Sequence, residues 1–147
     1  MLTDILHKIS ESILSELSQG SKKISVIIGT EKKKQKGTQI SIQLFRFGSD
    51  NQHKNYPVAP PQDRSVYGFT FFIQVFGTDY ENGIDLIEKV ADQFDKKPFL
   101  QVNTGHTEYE LAFSSMELSM EEINHFWLAQ RKPHAPVLFY QARISEI

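Results

Sequence analysis

Lys32, Lys33, Lys34 and Lys36 crowd into one short stretch, GTEKKKQKGT, running from Gly29 to Thr38. Glycines, a lysine and a threonine in one segment are the ingredients of a phosphate-binding loop. Their order is wrong for one. That loop needs G-x-x-x-x-G-K-[ST] between a strand and a helix, whereas Thr38 follows Gly37 directly and the next segment has strand character. Two readings of the lysines remain. They keep a strand connector solvated, or they present a basic contact surface to an acidic face of a protein partner.

The other residue types that carry chemistry are scattered. His7, His53, His106, His125 and His134 include no H-x-x-x-H or H-E-x-x-H pair, so no helix offers two imidazoles on one face to a metal. They read as surface and loop residues. Glu108 and Glu110 are two apart on a predicted strand and so share a face. That spacing suits a carboxylate pair for acid–base work, and equally a solvated polar face. Glu81, Asp85 and Glu88 fall where a helix is predicted to begin and expose its surface. Ser114 and Ser115 lack the G-x-S-x-G context of a nucleophile elbow. The chain has no cysteine, which removes disulfides, thiolate metal sites and a Cys nucleophile. The expectation is no catalytic residue, no cofactor and no metal site. Lys32, Lys33, Lys34 and Lys36 are the candidate partner-contact residues.

The elements that would hold these residues follow from periodicity. Leu2, Ile5, Leu6, Ile9, Ile13, Leu14 and Leu17 recur at helical spacing and predict a helix over 2–17, with Gly20 as its stop. KISVIIGT (Lys23 to Thr30) puts Ile24, Val26 and Ile28 on one strand face. QISIQLFRF (Gln39 to Phe47) puts Ile40, Ile42 and Leu44 on one face and Phe45 and Phe47 on the other. With the lysine stretch between them, these two strands predict a hairpin. Residues 49–65, with Pro57, Pro60 and Pro61, read as a long loop, functional or mobile. Val66 to Gly77 is apolar on both faces and predicts a central strand.

A helix follows over 81–95, with Ile84, Ile87, Val90, Ala91 and Phe94 as its inner stripe and Pro98 beyond its end. Thr107 to Leu118 alternates through Tyr109, Leu111 and Phe113, as a half-exposed strand does. Ser119 and Glu122 form a capping box opening a helix whose inner face is Ile123, Phe126 and Trp127; Pro133 breaks it. Val137 to Ile144 is the last strand, read either as completing the domain's own sheet or as an edge for docking a neighbour. The sum is one α+β domain over residues 1–147, a mostly antiparallel sheet of four to five strands with two to three packing helices.

Bulk properties agree. The chain has 147 residues, 39% of them hydrophobic and 23% charged, as expected of one globular core. A net charge of −2 argues against a nucleic-acid binder held by bulk electrostatics. MLTDILHKISESILSELSQG lacks a basic leader and is polar every few residues, unlike a signal peptide or a membrane span.

Four stretches together resemble a known family. They are ISIQLFRFGSDNQHKN (Ile40 to Asn55), FTFFIQVFGTD (Phe69 to Asp79), LIEKVADQFDKKPFL (Leu86 to Leu100) and LSMEEINHFWLAQRKPHAPVLFYQARI (Leu118 to Ile144). In order and spacing they are similar to DUF4255, the tail-terminator or cap proteins of phage-tail-like contractile injection systems. The last stretch is the most specific, with its Leu-Ser-x-Glu-Glu start, Trp127, Pro133 and an aromatic-x-x-Arg ending at Tyr140 and Arg143. Two departures stand out: RSVYG replaces the usual Pro-Pro-Leu entry to the central strand, and Lys54-Asn55 replaces Arg-Asn.

The resemblance implies a structural cap without turnover. Such a cap forms a hexameric ring on the distal end of an inner tube and its sheath and stops their polymerisation. Its partners would be its own copies, the inner tube protein and the sheath protein, with no nucleic acid and no direct membrane insertion. It would be cytoplasmic during assembly. Rival readings are a tail connector or baseplate adaptor, which also forms rings, and a small enzyme or ligand-binding domain, which needs ionisable residues clustered at a pocket.

Overall fold

The computed structural model describes residues 2–17, 24–29, 32, 37–49, 67–130 and 136–147. Helix α1 (Leu2–Leu17) forms as its apolar stripe predicts and buries Ile5, Leu6, Ile9 and Ile13. Strands β1 (Ile24–Ile28), β2 (Thr38–Ser49) and β3 (Tyr67–Phe76) follow. Helix α2 (Tyr80–Lys96) starts at Asp79, whose carboxylate accepts the Asn82 backbone N–H at 2.8 Å. Strands β4 (Phe99–Asn103) and β5 (Glu108–Ser115), helix α3 (Met120–Gln130) and strand β6 (Val137–Glu146) complete the order.

The six strands make one sheet in the order β1-β2-β3-β6-β5-β4. That is one strand more than the sequence predicts. The extra strand is β4, five residues long, of which only Val102 is fully buried. So short a run after a proline carries no alternation strong enough to separate it from the tail of the preceding helix.

The sheet is antiparallel throughout except at its β1 end. There the predicted hairpin is wrong. β1 pairs with β2 in parallel, Ile24 opposite Thr38 and Ile28 opposite Ile42. Parallel neighbours usually need a long crossover. Here β1 has only five residues, so the chain need return only about 13 Å to start β2. The stretch between Ile28 and Thr38 is long enough for that.

The two faces of the sheet carry different layers. On one, α1 and α2 cover Ile40, Ile42, Phe69, Phe71, Ile73, Val75, Leu111, Tyr140, Ala142 and Ile144, with Val90 and Phe94 packed in from α2. Phe94 lies 4.5 Å from the Tyr140 ring and 4.9 Å from Phe113. On the other, α3 inserts Phe126 edge-on against Phe72 at 4.9 Å and Phe139 at 5.0 Å. β3 therefore has aromatic residues on both faces, as a central strand should. Phe126 occupies the inner position its spacing predicts; the Trp127 side chain lies outside the described residues.

β6 lies between β3 and β5, paired on both sides. The reading of this last strand as a docking edge is therefore overturned, and the reading in which it completes the sheet holds. Its apolar character reflects burial on a central strand.

Candidate interaction surface

The lysine stretch meets the sheet at two points. At the first, the Gly29 N–H donates to the Ile42 carbonyl at 2.9 Å, and the Ser41 hydroxyl donates to the Gly29 carbonyl. At the second, the Gln39 amide grips the Lys32 backbone from both sides. Its oxygen accepts the Lys32 N–H at 2.9 Å and its nitrogen donates to the Lys32 carbonyl at 2.7 Å. Gln39 and Ser41 lie on the face opposite Ile40 and Ile42. Both are buried, Gln39 being only 2% exposed. A buried polar residue must find partners, and these two find them in the connector. Gln43 continues the row, donating to Ser41 Oγ at 3.0 Å and to Gln74 Oε1 at 3.3 Å. The Lys32 side chain is exposed. Lys33, Lys34 and Lys36 lie outside the described residues, so the structure neither gathers nor separates the predicted lysine cluster.

Farther along β2 the surface becomes apolar. β1 stops pairing at Ile42, so among the described residues the outer edge of β2 from Gln43 to Ser49 has no strand beside it. The register with β3 jumps between Leu44 and Arg46, leaving Phe45 as the bulged residue. This corrects the predicted pairing of faces. Phe47, opposite Phe69, shares the α1/α2 face with Leu44. Phe45 lies on the other face, edge-on to Phe72 and Phe139. Leu44, Phe45 and Phe47 all remain exposed. Arg46 lies over the Phe45 ring and reaches Glu122 Oε2 on α3 at 3.9 Å. Strict alternation cannot reveal a bulge, so this step in the sheet edge is invisible in the sequence.

The predicted capping box is present. Ser119 Oγ accepts the Glu122 N–H at 3.2 Å, and Glu122 Oε1 lies 3.4 Å from the Ser119 N–H and 3.1 Å from its hydroxyl. Glu108 and Glu110 share the α3 face of β5, opposite Asn103 and Gln101 of β4. His53 and His134 lie outside the described residues. Among those described, no histidine and carboxylate cluster can hold a metal, and no helix is long and apolar enough to cross a membrane.

Two concavities lie among the described residues. A cavity of about 40 Å³ between α1, α2 and β4 is lined by Ile13, Gln93, Phe94 and Leu100. That volume holds roughly one or two waters. Gln93 donates to the Ser12 carbonyl at 3.0 Å, and its buried oxygen has no protein partner. A second concavity of about 290 Å³, lined by Lys8, Gln101, Val102, Asn103 and Glu108, is a shallow depression at the β4 edge. Neither gathers groups for catalysis as an enzyme site would. What the described surface offers is Lys32 held by Gln39, a stepped strand edge and exposed aromatic residues.

Solved structures share this architecture. The sheath/tube terminator of the extracellular contractile injection system PVC, in its extended state, matches with a TM-score of 0.73 at 13% identity. The tube-terminating cap of the anti-feeding prophage (AFP) matches with a TM-score of 0.69 at 12% identity. The fold is that of these terminators. Each match covers 100% of this chain, and 57% and 55% of the respective partner chain, so this chain spans little more than half their length. No family model and no curated protein sequence matches.

Proposed function

We propose that this protein is a structural cap of a contractile injection system, a tail terminator of the DUF4255 type. It forms a hexameric ring on the distal end of the inner tube and sheath and halts their polymerisation. The observation that carries this reading is the match of the whole chain to two terminators of such particles. The cap's partners are its own copies and the tube and sheath proteins of the same particle, and it joins them in the cytoplasm during assembly. Imaging particles made without this protein tests the role. Overlong tubes or sheaths are the expected result. Absent tubes point to a connector or adaptor that initiates assembly, and particles of normal length refute the cap.

Lys32, Lys33, Lys34 and Lys36 serve in this reading as a basic contact for an acidic rim on the tube or sheath. Each exposed pair is worth only about 0.2–1 kcal/mol, and six copies add through avidity. Replacing all these lysines with Ser leaves the fold intact and weakens capping at low salt. The gap between variant and wild type closes as salt rises, because salt screens the wild-type attraction. Equal tube-length distributions at low salt show the lysines to be a solvated connector only.

A further inference from the structure

We propose that Gln39 is a positioning residue for the basic contact, holding the backbone of Lys32 so that this lysine meets the carboxylates of an acidic partner surface already in place. This rests on the reading above in which the lysine stretch touches the tube or sheath, and it adds the residue through which the sheet sets that contact. Gln39 is only 2% exposed, so it acts through Lys32 and not on the partner itself. A glutamine there needs a reason. Ile40 and Ile42 fill the opposite face of β2, and a buried amide is costly unless it is hydrogen-bonded. Two of its bonds go to one residue: its oxygen accepts the Lys32 N–H at 2.9 Å, and its nitrogen donates to the Lys32 carbonyl at 2.7 Å.

The chemistry of the amide fits that task. One planar group carries both a donor and an acceptor, so it bonds the N–H and the C=O of a single residue, as a neighbouring strand would. A carboxylate offers acceptors only, and an aliphatic side chain offers neither. A second tie lies at Gly29. Its N–H donates to the Ile42 carbonyl at 2.9 Å, and the Ser41 hydroxyl donates to its carbonyl. Ser41 is fully buried and shares a strand face with Gln39. The Lys32 backbone is thus fixed to β2 while its side chain stands exposed. Ordering a long side chain on binding offsets part of what its charge gains. With the backbone already ordered, only the side chain remains to be fixed. The ammonium group it presents has three donors and no acceptor, which suits a carboxylate-bearing protein face.

The test is a double-mutant cycle. Binding of the purified full chain to particles made without it is measured by co-sedimentation at low and high salt, below the melting temperature of every variant. Wild type, Lys32→Ser, Gln39→Leu and the double variant are compared. Lys32→Ser is expected to weaken binding at low salt by about 1.4- to 5-fold per copy, compounded over the copies engaged. Gln39→Leu is expected to weaken it by no more than that, with the loss shrinking at high salt, and to cost little once Lys32 is already Ser. Should Gln39→Leu fail to fold, Gln39→Met, which keeps the side-chain length without a donor, takes its place. An equal loss in both backgrounds, or one as large at high salt, marks a general structural role and overturns the proposal. Full binding by Gln39→Leu beside a weakened Lys32→Ser overturns it and leaves the basic contact standing. Full binding by Lys32→Ser removes Lys32 from the contact and overturns the proposal with it, and the particle imaging above judges the cap independently.

Discussion

Gln39 shows how much one side chain can decide. It sits on a strand whose other face is isoleucine, and its amide completes the hydrogen bonding of a connector residue, Lys32. Gln39→Leu removes both bonds to Lys32, and because Lys32 is exposed to water the net loss is that of ordinary hydrogen bonds, about 0.5–1.5 kcal/mol each. Urea melts should register the loss, and hydrogen exchange at the Lys32 amide should accelerate more than elsewhere. Unchanged exchange there would mean the clamp does not hold the connector. Tyr140 makes a second point at this scale. Its phenol is pushed up from 10.0 to about 12, chiefly by burial and secondarily by the Asp95 carboxylate. The unfolded chain then releases this proton first, so stability is full below pH 10 and falls as pH rises toward 12. At about 1.4 kcal/mol per pKa unit, the loss is on the order of 2–3 kcal/mol. Tyr140→Phe should be near neutral at pH 7 and should flatten this alkaline decline in urea melts between pH 9 and about 12. An equally steep decline would assign it to other groups.

At the scale of elements, the described residues that hold α3 are its cap and the Phe126 ring. Ser119→Ala removes the hydroxyl that receives the Glu122 N–H and should cost about 1 kcal/mol. Phe126→Ala withdraws the ring that fills the space between Phe72 and Phe139, at a cost of about 3–5 kcal/mol. Thermal melts of the two variants should therefore separate clearly, and a mild Phe126→Ala would show that α3 is not held by the sheet. The end of β3 is constrained differently. Gly77 has φ of +79°, and a Cβ there would strike the Gly37 carbonyl at the start of β2. Gly77→Ala should destabilise by more than about 1 kcal/mol, combining left-handed strain with a backbone clash. A melt within error of wild type would require the two strand ends to move apart freely.

For the whole molecule, the strand order predicts the order of local opening. β3 and β6 are paired on both sides and covered by aromatic residues, while β1 and β4 close the two ends with five residues each. Native-state hydrogen exchange should protect β3 and β6 most and release the end strands β1 and β4 first. Uniform protection across the sheet would contradict this.

Much of this was legible from residues alone. The stripe of α1, the inner stripe of α2, the Ser119–Glu122 capping box and the two-faced apolar run of β3 are local patterns, and local patterns survive in sequence because neighbours three or four apart create them. The likeness of the final stretch to cap proteins was also visible there, in the spacing of Ser119, Trp127, Pro133 and Arg143. The direction of β1 was not, because alternation with period two reads the same for parallel and antiparallel pairing. The bulge at Phe45 was not, because it arises from how β2 meets β3. The place of β6 was not, because an apolar strand is equally apolar at an edge awaiting a partner and in the middle of a sheet. Pairing between distant segments decided all three.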